Sequence, residues 1–467
     1  LFAADLVDLN ISGGGNVEIT NPIGDDGAAD NTLETVDSSA LSGDLFIDTT
    51  DAVSDLTVTN SDGDDTVTTG EGSDTISAAG GDNVVDAGSG DNSVTAGSGD
   101  DFITTGSGDD IIVGGDGDNT VFAGLGDDSV VTGSGDDEIT AGRGVETLDG
   151  GAGDDIFNFV YSVDPQLQGL TSADYVEGGA GTDTVNILNG NDVTLVDDIF
   201  NRWGNVEVLD VSAAQDTGND VDNLAGSVTL NAIAEAAGVE RVITGDANDA
   251  VAIGEGFTGD LDVVLGAGND LVDGTLAPVS SQTNIFIKDD DLDFSDTLIG
   301  GQGGNDIIFL EATNGFGSGN DVGFERLVVV PNGNLDSGVE LTDDVVAAGQ
   351  TFVIDASAQL GNFDVVAGNE TDGHFDITTG GTVAAGIGDS DRITTGEGDD
   401  TIFSNEGADE VVAGNGDNLV DAGNGDNIVE TGTGADTIIS GTGDDSIDSG
   451  SGVDIVYSGA GRDYIMT

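Results

Sequence analysis

The chain has 467 residues, of which 92 are acidic and only 7 are basic, so its formal net charge is −85. Charge repulsion of this size opposes a compact state unless cations bind or screen the acids. The scarcity of basic side chains excludes nucleic acid as a partner and disfavours an anionic membrane surface. No run of about 18 apolar residues is present to span a bilayer. The absence of cysteine excludes disulfides and thiolate metal sites.

Residues 1–59 are predicted to form an amino-terminal β segment that acts as a cap or a contact strand. Within it, NVEITNP (16–22) could add a strand to a neighbouring molecule. The sequence starts at Leu1, without Met and without a signal peptide, and we interpret it as a processed or truncated piece.

Residues 60–158 divide into eleven consecutive nonapeptides, and eight more fill residues 395–466. Position four is Gly in all of these units, position eight is apolar, and position six is Asp, Asn or Glu. Examples are NSDGDDTVT (60–68) and TGEGDDTIF (395–403). A fixed internal period of this kind predicts a repeat architecture rather than a disordered acidic chain.

Each position of the nonapeptide has a physical interpretation. Positions one to five are predicted to turn the chain, because glycine permits positive φ there. Positions seven to nine, rich in Val, Ile and Thr, are predicted to form a short strand whose position-eight side chain points inward. One unit cannot bury this residue alone, but stacked neighbours can. Two units in each coil would then give a flattened parallel solenoid with a row of turns along each edge.

The nonapeptide resembles the consensus G-G-x-G-x-D-x-U-x, with U apolar, of the RTX calcium-binding nonapeptide-repeat family. The mixture of such units with looser strand segments is similar to that of bacterial surface-layer proteins and other large RTX surface proteins. The resemblance implies an all-β fold, a right-handed parallel β-roll or β-solenoid. Two strict RTX arrays (60–158 and 395–467) would be joined by irregular solenoid coils.

In the family that the chain resembles, Ca²⁺ lies between turns stacked on the same edge, an arrangement that suits its preference for six to eight oxygen ligands. The resemblance implies that the position-six side chains are ligands: Asp65, Asp74, Asn83, Asn92, Asp101, Asp110, Asn119, Asp128, Asp137, Glu146, Asp155, Asp183, Asp270, Asp306, Asp400, Asp409, Asn418, Asn427, Asp436, Asp445, Asp454 and Asp463. It adds backbone carbonyls near Gly72, Gly90, Gly99, Gly108, Gly117, Gly126, Gly135, Gly398, Gly416, Gly425, Gly434 and Gly443. We expect roughly fifteen or more Ca²⁺ ions in each chain.

Asparagine replaces aspartate at position six of five units, at Asn83, Asn92, Asn119, Asn418 and Asn427. Because the number of charged ligands tunes calcium affinity, weaker sites are expected beside these units. Two alternatives remain open. A position-five carboxylate such as Asp82 compensates for the lost charge, or the asparagine merely caps its turn.

Residues 159–394 lose the strict period. Single looser units occur at 178–186, 266–273 and 300–309, and the rest is predicted to form further parallel strands in longer coils. Short helices are predicted at 194–202 and 230–238. A separate β-sandwich domain is the alternative for this segment. Residues 395–467 form the second RTX array.

The sequence contains no pattern that predicts catalysis, and we expect that the chain is not an enzyme and binds no organic cofactor. His374 is the only histidine and has no cysteine to share a metal with, so it is predicted to be a surface or turn residue. Phe200 and Trp203 are predicted to pack or to anchor a strand. On so acidic a surface, an arginine such as Arg143 or Arg462 could pair across a subunit contact.

The sequence therefore favours a secreted calcium-binding structural protein that folds on Ca²⁺ and assembles into a surface layer or filament. Self-association, head to tail or in a lattice, is expected, with a cell-surface polysaccharide or another matrix component as a possible partner. An extracellular or cell-surface location is expected because sites of about 10⁻⁴–10⁻³ M affinity work only outside the cell. The alternative is the repeat region of a larger RTX adhesin, toxin or exoenzyme exported by type I secretion.

Overall fold

The computed structural model describes residues 7–19, 33–50, 52–160, 169–188, 193–212, 224–246, 248–266, 270–277, 282–287, 297–299, 306–311, 316–317, 324, 326–330, 337–341, 350–358, 362–368, 373–380 and 390–467. Every structural statement below refers to these residues. The chain divides into two compact units, and each is described separately. The first comprises residues 1–217 and 233–239, and the second comprises residues 218–232 and 240–467.

The first unit is built from short strands. They are β1 (Asp8–Gly13), β2 (Val17–Ile19), β3 (Thr35–Leu41), β4 (Leu45–Asp48), β5 (Thr57–Thr59), β6 (Thr66–Thr68), β7 (Thr75–Ser77), β8 (Val84–Asp86), β9 (Ser93–Ser98), β10 (Phe102–Thr104), β11 (Ile111–Asp116), β12 (Thr120–Phe122), β13 (Ser129–Val131), β14 (Glu138–Thr140), β15 (Thr147–Ala152), β16 (Ile156–Val160), β17 (Tyr175–Ala180), β18 (Thr184–Leu188), β19 (Val193–Leu195), β20 (Trp203–Gly204) and β21 (Val208–Asp210).

The second unit continues with the same kind of element. Its strands are β22 (Leu224–Leu230), β23 (Arg241–Ile243), β24 (Asn248–Ile253), β25 (Leu261–Leu265), β26 (Leu271–Asp273), β27 (Thr283–Ile287), β28 (Thr297–Ile299), β29 (Ile307–Glu311), β30 (Phe316–Gly317), β31 (Arg326–Val330), β32 (Ser337–Glu340), β33 (Thr351–Asp355), β34 (Phe363–Val366), β35 (His374–Thr378), β36 (Arg392–Thr394), β37 (Thr401–Phe403), β38 (Glu410–Val412), β39 (Leu419–Asp421), β40 (Ile428–Glu430), β41 (Thr433–Gly434), β42 (Thr437–Ile439), β43 (Ser446–Asp448), β44 (Ser451–Gly452), β45 (Ile455–Tyr457) and β46 (Tyr464–Met466).

In the first unit, alternate strands belong to two parallel sheets. One runs β1-β3-β5-β7-β9-β11-β13-β15-β17-β20, and the other contains β2, β4, β6, β8, β10, β12, β14, β16, β18 and β21 in that order. Within the array, Thr75 pairs with Ser93, which is two nonapeptides later in the chain. Both sheets extend without interruption past the predicted array boundaries, and only the coil length changes. For example, Thr147 pairs with Tyr175, which lies 28 residues later.

In the second unit, successive strands also pair in parallel. The main sheets follow β22-β24-β26-β28, β30-β32-β34-β36-β38-β40-β43-β46, and β23-β25-β27-β29-β31-β33-β35-β37-β39-β42-β45. β41 pairs with β44. Because every pairing of described strands is parallel, the β-sandwich alternative is wrong. The prediction of an all-β parallel solenoid is confirmed, while the right hand of the roll stays a prediction.

Side chains alternate inward and outward along most coils. Position eight is fully buried in most units, as in Val85 and Phe157, and positions seven and nine are exposed in units such as that of Val84 and Asp86. The core differs from the expected single row of apolar residues, because positions one and six are also buried. Ala87, at position one, and Asp101, at position six, are at most 2% exposed. The period of two places positions six, eight and one on the same inner face.

The two short helices form where the sequence predicts them. A 3₁₀ helix spans Asp197–Arg202, and α1 spans Ala232–Ala237. Phe200 packs edge-to-face on Trp203 at a ring-centroid distance of 5.1 Å, and both are buried, which confirms their predicted packing role. Among the described residues, no helix has the length and apolar character needed to cross a bilayer.

The position-four glycines allow neighbouring turns to stack closely. Gly126 has φ +139°, and a Cβ atom on it would lie 1.9 Å from the carbonyl oxygen of Gly108, one coil earlier. We therefore expect Gly126→Ala to destabilise the calcium-loaded protein by at least about 1–3 kcal/mol, because both the φ angle and the clash force the turn apart. Leu125→Ala, at the exposed neighbouring position, is the control and should change stability by less than about 0.5 kcal/mol. Equal urea midpoints for the two variants would contradict this account of position four.

Candidate metal centre

The position-six side chains form a buried row, here called the inner ladder, in which each one bonds to the backbone of the preceding coil. The N–H of Asn83 donates to Oδ1 of Asp101 at 2.8 Å, and the N–H of Asp101 donates to Oδ1 of Asn119 at 3.1 Å. All of the position-six residues named from the sequence accept such a bond, including those of the looser units, Asp183, Asp270 and Asp306. They are buried, except Asp454 and Asp463 in the last coil, which are half-buried.

Position five forms a second row, here called the outer ladder, on the solvent side of the turns. The N–H of Asp118 donates to Oδ1 of Asp100 at 2.9 Å, and the N–H of Asp136 donates to Oδ1 of Asp118 at 2.9 Å. These side chains reach the following coil, whereas inner-ladder side chains reach the preceding one. The outer-ladder carboxylates are exposed, so water screens their mutual repulsion.

The inner ladder uses only one oxygen of each carboxylate. The second oxygen is buried without a hydrogen-bond donor in Asp65, Asp74, Asp101, Asp110, Asp128, Asp137, Glu146, Asp155, Asp183, Asp400 and Asp436. The hydroxyl of Thr69, which neighbours Asp74, donates its proton to the carbonyl of Ala87 at 2.8 Å. Buried polar atoms without a partner are rare in native proteins, and a bound water or ion is a common explanation for them.

Burial shifts the ionisation of these carboxylates. Desolvation raises the pKa of Asp128 and Asp155 to about 7 and the pKa of Glu146 to about 8, and neighbouring carboxylates add to the rise. Desolvation also raises the pKa of Asp65 and Asp400 to about 6. A bound divalent cation would reverse these shifts, because its positive charge favours the ionised carboxylate.

The position-four carbonyls are the natural partners of such a cation. In residues 60–158, all of which are described, no backbone N–H donates to the position-four carbonyls. The asparagine units show where these oxygens lie. Nδ2 of Asn119, which stands in the place of the second carboxylate oxygen, is 2.9 Å from the Gly117 carbonyl and 3.4 Å from the Gly115 carbonyl. In aspartate units, the second carboxylate oxygen therefore faces the glycine carbonyl oxygens without a hydrogen-bond donor between them.

This donor set fits Ca²⁺. No three carboxylate or histidine side chains converge on a point among the described residues, so a metal here must draw mainly on backbone oxygens. One carboxylate together with several carbonyls is a hard-oxygen set that Ca²⁺ accepts readily. Gly90, Gly117 and Gly416, all predicted carbonyl ligands, instead receive asparagine amide bonds at 2.9, 2.9 and 3.2 Å.

The inner ladder also contains carboxylates that the nonapeptide pattern missed. Glu207 accepts from the N–H of Asp183 at 2.9 Å, and three aspartates join it. Asp174 accepts from the N–H of Glu146 at 2.9 Å, and Asp391 accepts from the N–H of Phe363 at 2.7 Å. Asp249 donates its N–H to Asp270 and is also buried. Asp174, Asp249 and Asp391 each begin a D-x-U-x sequence, with U apolar. Asp174 and Asp249 lack the glycine-rich turn, and Asp391 follows Gly386 and Gly388, which are shifted by one position from the strict pattern. This shorter motif is the signal that could have revealed them.

The other residues considered from the sequence lie outside this row. His374 begins strand β35 rather than occupying a turn. Its Nδ1 accepts from the N–H of Asp399 at 2.8 Å, so it takes the place that an aspartate Oδ1 has in the outer ladder. Arg326 pairs with Asp355 at 2.5 Å and Arg392 pairs with Glu410 at 3.0 Å.

Arg202 is also held within the chain. It donates to the carbonyl of Ala173 and lies 5.9 Å from the centroid of the Tyr175 ring. The suggestion that Arg143 or Arg462 pairs across a subunit contact stays a prediction.

Stacked parallel coils joined by acidic ladders define a β-roll of the calcium-binding repeat class. The chain matches the family described as "RTX calcium-binding nonapeptide repeat (4 copies)" at residues 59–94, 86–121, 95–130, 122–157, 166–193, 386–420, 394–429, 403–438 and 430–465. The chain belongs to this family, whose repeats bind Ca²⁺. The looser unit around Asp183 lies within the matched ranges, and Asp270 and Asp306 lie outside them. No curated protein matches the chain significantly.

Proposed function

We propose that this protein is a secreted, non-catalytic structural protein that folds when Ca²⁺ binds its inner ladder and then assembles into an extracellular layer or filament. The observation that carries the proposal is the row of buried carboxylate oxygens without hydrogen-bond donors. A chain that needs cations at so many rungs stays unfolded where Ca²⁺ is scarce and folds where it is abundant. This behaviour suits export, and RTX repeat proteins are typically secreted.

The last coil supports the assembly part of the proposal. Position-eight residues inside the arrays are fully buried, but Ile465 is 43% exposed, and Tyr457, Tyr464 and Met466 are also exposed. β45 and β46 each pair on one side only. An open strand edge with apolar side chains pairs with a further coil, which comes either from the same chain or from a second copy.

We propose that the first coil of a second copy covers this edge. Strands β1 and β2 of that coil are half-exposed, and each pairs with a described strand on one side only. Such a head-to-tail contact is heterologous, and its repetition gives open fibres.

Electron microscopy and light scattering of the full chain with Ca²⁺ and with a chelator test this proposal. We expect filaments or sheets with Ca²⁺ and their loss in the chelator. Ile465→Asp should abolish assembly while leaving calcium-induced folding intact, and Val84→Asp, on an exposed face of β8, is the matched control. If the protein at high concentration is folded but monomeric in Ca²⁺, the assembly proposal is wrong. It would favour the repeat region of a larger RTX adhesin, toxin or exoenzyme.

A further inference from the structure

We propose that asparagine at position six takes the place of a calcium ion, so that Asn83, Asn92, Asn119, Asn418 and Asn427 form rungs that need no metal. The inference rests on the proposed calcium-dependent folding and divides the inner ladder into rungs that bind an ion and rungs that do not.

Each of these asparagines has a single side-chain oxygen, and the inner ladder already uses it. Oδ1 of Asn119 accepts from the N–H of Asp101 at 3.1 Å, and Oδ1 of Asn418 accepts from the N–H of Asp400 at 3.0 Å. The same bond is present at Asn83, Asn92 and Asn427. An aspartate has a second oxygen left for a cation, whereas an asparagine has an N–H group there instead.

That N–H group donates hydrogen bonds to the glycine carbonyl oxygens, which we propose a cation binds in an aspartate unit. Nδ2 of Asn83 is 2.8 Å from the Gly81 carbonyl, and Nδ2 of Asn92 is 2.9 Å from the Gly90 carbonyl. Asn427 directs Nδ2 to the carbonyls of Ala422 and Gly423 at 3.2 and 3.4 Å. Rotating the amide to offer its oxygen to a metal would set Nδ2 against the backbone N–H of the preceding coil. Both neighbours therefore fix the amide orientation and exclude the ion.

The sequence around position one supports the same division. The asparagine units carry only Ala or Gly at position one, at Ala78, Ala87, Gly114, Ala413 and Ala422. The ten units with Asn, Thr or Ser at position one all have Asp at position six. In two of them the hydroxyl donates to the second carboxylate oxygen, from Ser440 to Asp445 at 2.8 Å and from Ser449 to Asp454 at 3.1 Å. A hydroxyl donor can bond to the second oxygen of a carboxylate, but it has no acceptor where an asparagine places its amide N–H group.

Asp101, Asp128, Glu146 and Asp155 combine a carboxylate with Ala or Gly at position one, at Ala96, Ala123, Ala141 and Gly150. Their second oxygens have neither a hydroxyl nor an amide donor. These rungs, all in the first array, should depend most strongly on the ion. In the second array, position-one hydroxyls donate to Asp445 and Asp454, so these two rungs should depend less on the ion than Asp400 and Asp436, whose second oxygens have no donor.

Two pairs of variants test the proposal by counting bound ions with equilibrium dialysis and elemental analysis at saturating Ca²⁺. Asn418→Asp should add one ion to each chain. Asn415→Asp, in the same turn but exposed, makes the same charge change and should add none. Asp101→Asn should remove one ion and should let the protein fold at a lower Ca²⁺ concentration. Asp100→Asn, exposed in the outer ladder, should leave the ion count unchanged.

The outcomes separate this inference from the function on which it rests. Wild-type protein that binds no Ca²⁺ overturns the proposed function itself. Wild-type protein that binds Ca²⁺, with no gain in Asn418→Asp, overturns only the asparagine proposal. An Asp101→Asn protein that loses an ion but needs more Ca²⁺ to fold also overturns it, because the amide would then have failed to replace the metal.

Discussion

Chelating calcium should remove most of the β-structure of this protein, and restoring calcium should bring it back. Each inner-ladder carboxylate with a buried, unpartnered oxygen costs at least about 1–3 kcal/mol, and more when charged. The eleven such residues, Asp65 to Asp436, together cost as much as or more than the net stability of about 5–15 kcal/mol that is typical of a folded domain. Far-UV circular dichroism of the full chain during a titration with chelator and then Ca²⁺ measures this.

Two controls separate ion binding from charge screening. Sodium chloride at matched ionic strength screens the exposed outer ladder but supplies no ligand to the buried oxygens, so it should restore little structure. Mg²⁺ demands near-octahedral geometry at short distances and should also fail to replace Ca²⁺. A β-spectrum that survives the chelator, or one that sodium chloride restores fully, would refute the assignment of the inner ladder as a metal row.

Mild acid should partly replace calcium in the metal-free protein. Burial raises the folded-state pKa of Asp128 and Asp155 to about 7 and that of Glu146 to about 8, above the ordinary values of 3.8 for Asp and 4.5 for Glu. The folded state therefore binds more protons than the unfolded state, so stability falls as pH rises. The stabilising effect of protonation is complete near pH 4 and is lost as pH rises through about 6 to 8. In chelator, β-structure should grow as pH falls from about 8 to 5.

With calcium present, the pH dependence should reverse, because protons compete with the ion for the same carboxylates. Glu146→Gln should mimic the protonated form, so it should raise the β-content of the metal-free protein near pH 8. Glu71→Gln, at an exposed position three, removes the same charge and should have little effect. A metal-free protein whose structure decreases on acidification between pH 8 and 5 would show that the buried carboxylates do not govern folding.

The strict period allowed much of this molecule to be predicted. Glycine at position four and an apolar residue at position eight predicted turns and strands at fixed intervals, and Thr75 does pair with Ser93, two units on. The looser segment was harder, because its coils vary in length. The register between neighbouring strands in this segment depends on which residues face inward. Thr147, for example, pairs with Tyr175, and no local sequence pattern predicts a coil of that length.

The sequence alone determined the coil, the inward row and the identity of the candidate ligands, because these repeat every nine residues. Only the tertiary structure decided how the position-six side chain divides its two terminal atoms between the preceding coil and its own turn. That division shows Asp101 with a free oxygen and Asn119 with an amide donor in the same place. It also adds Asp174, which lacks the glycine-rich turn, and Asp391, whose turn departs from the strict pattern, because the coils stack in register. Atoms from separate coils come into contact only when the chain is folded. The sequence therefore identified the residues of the inner ladder but did not show which of them need an ion.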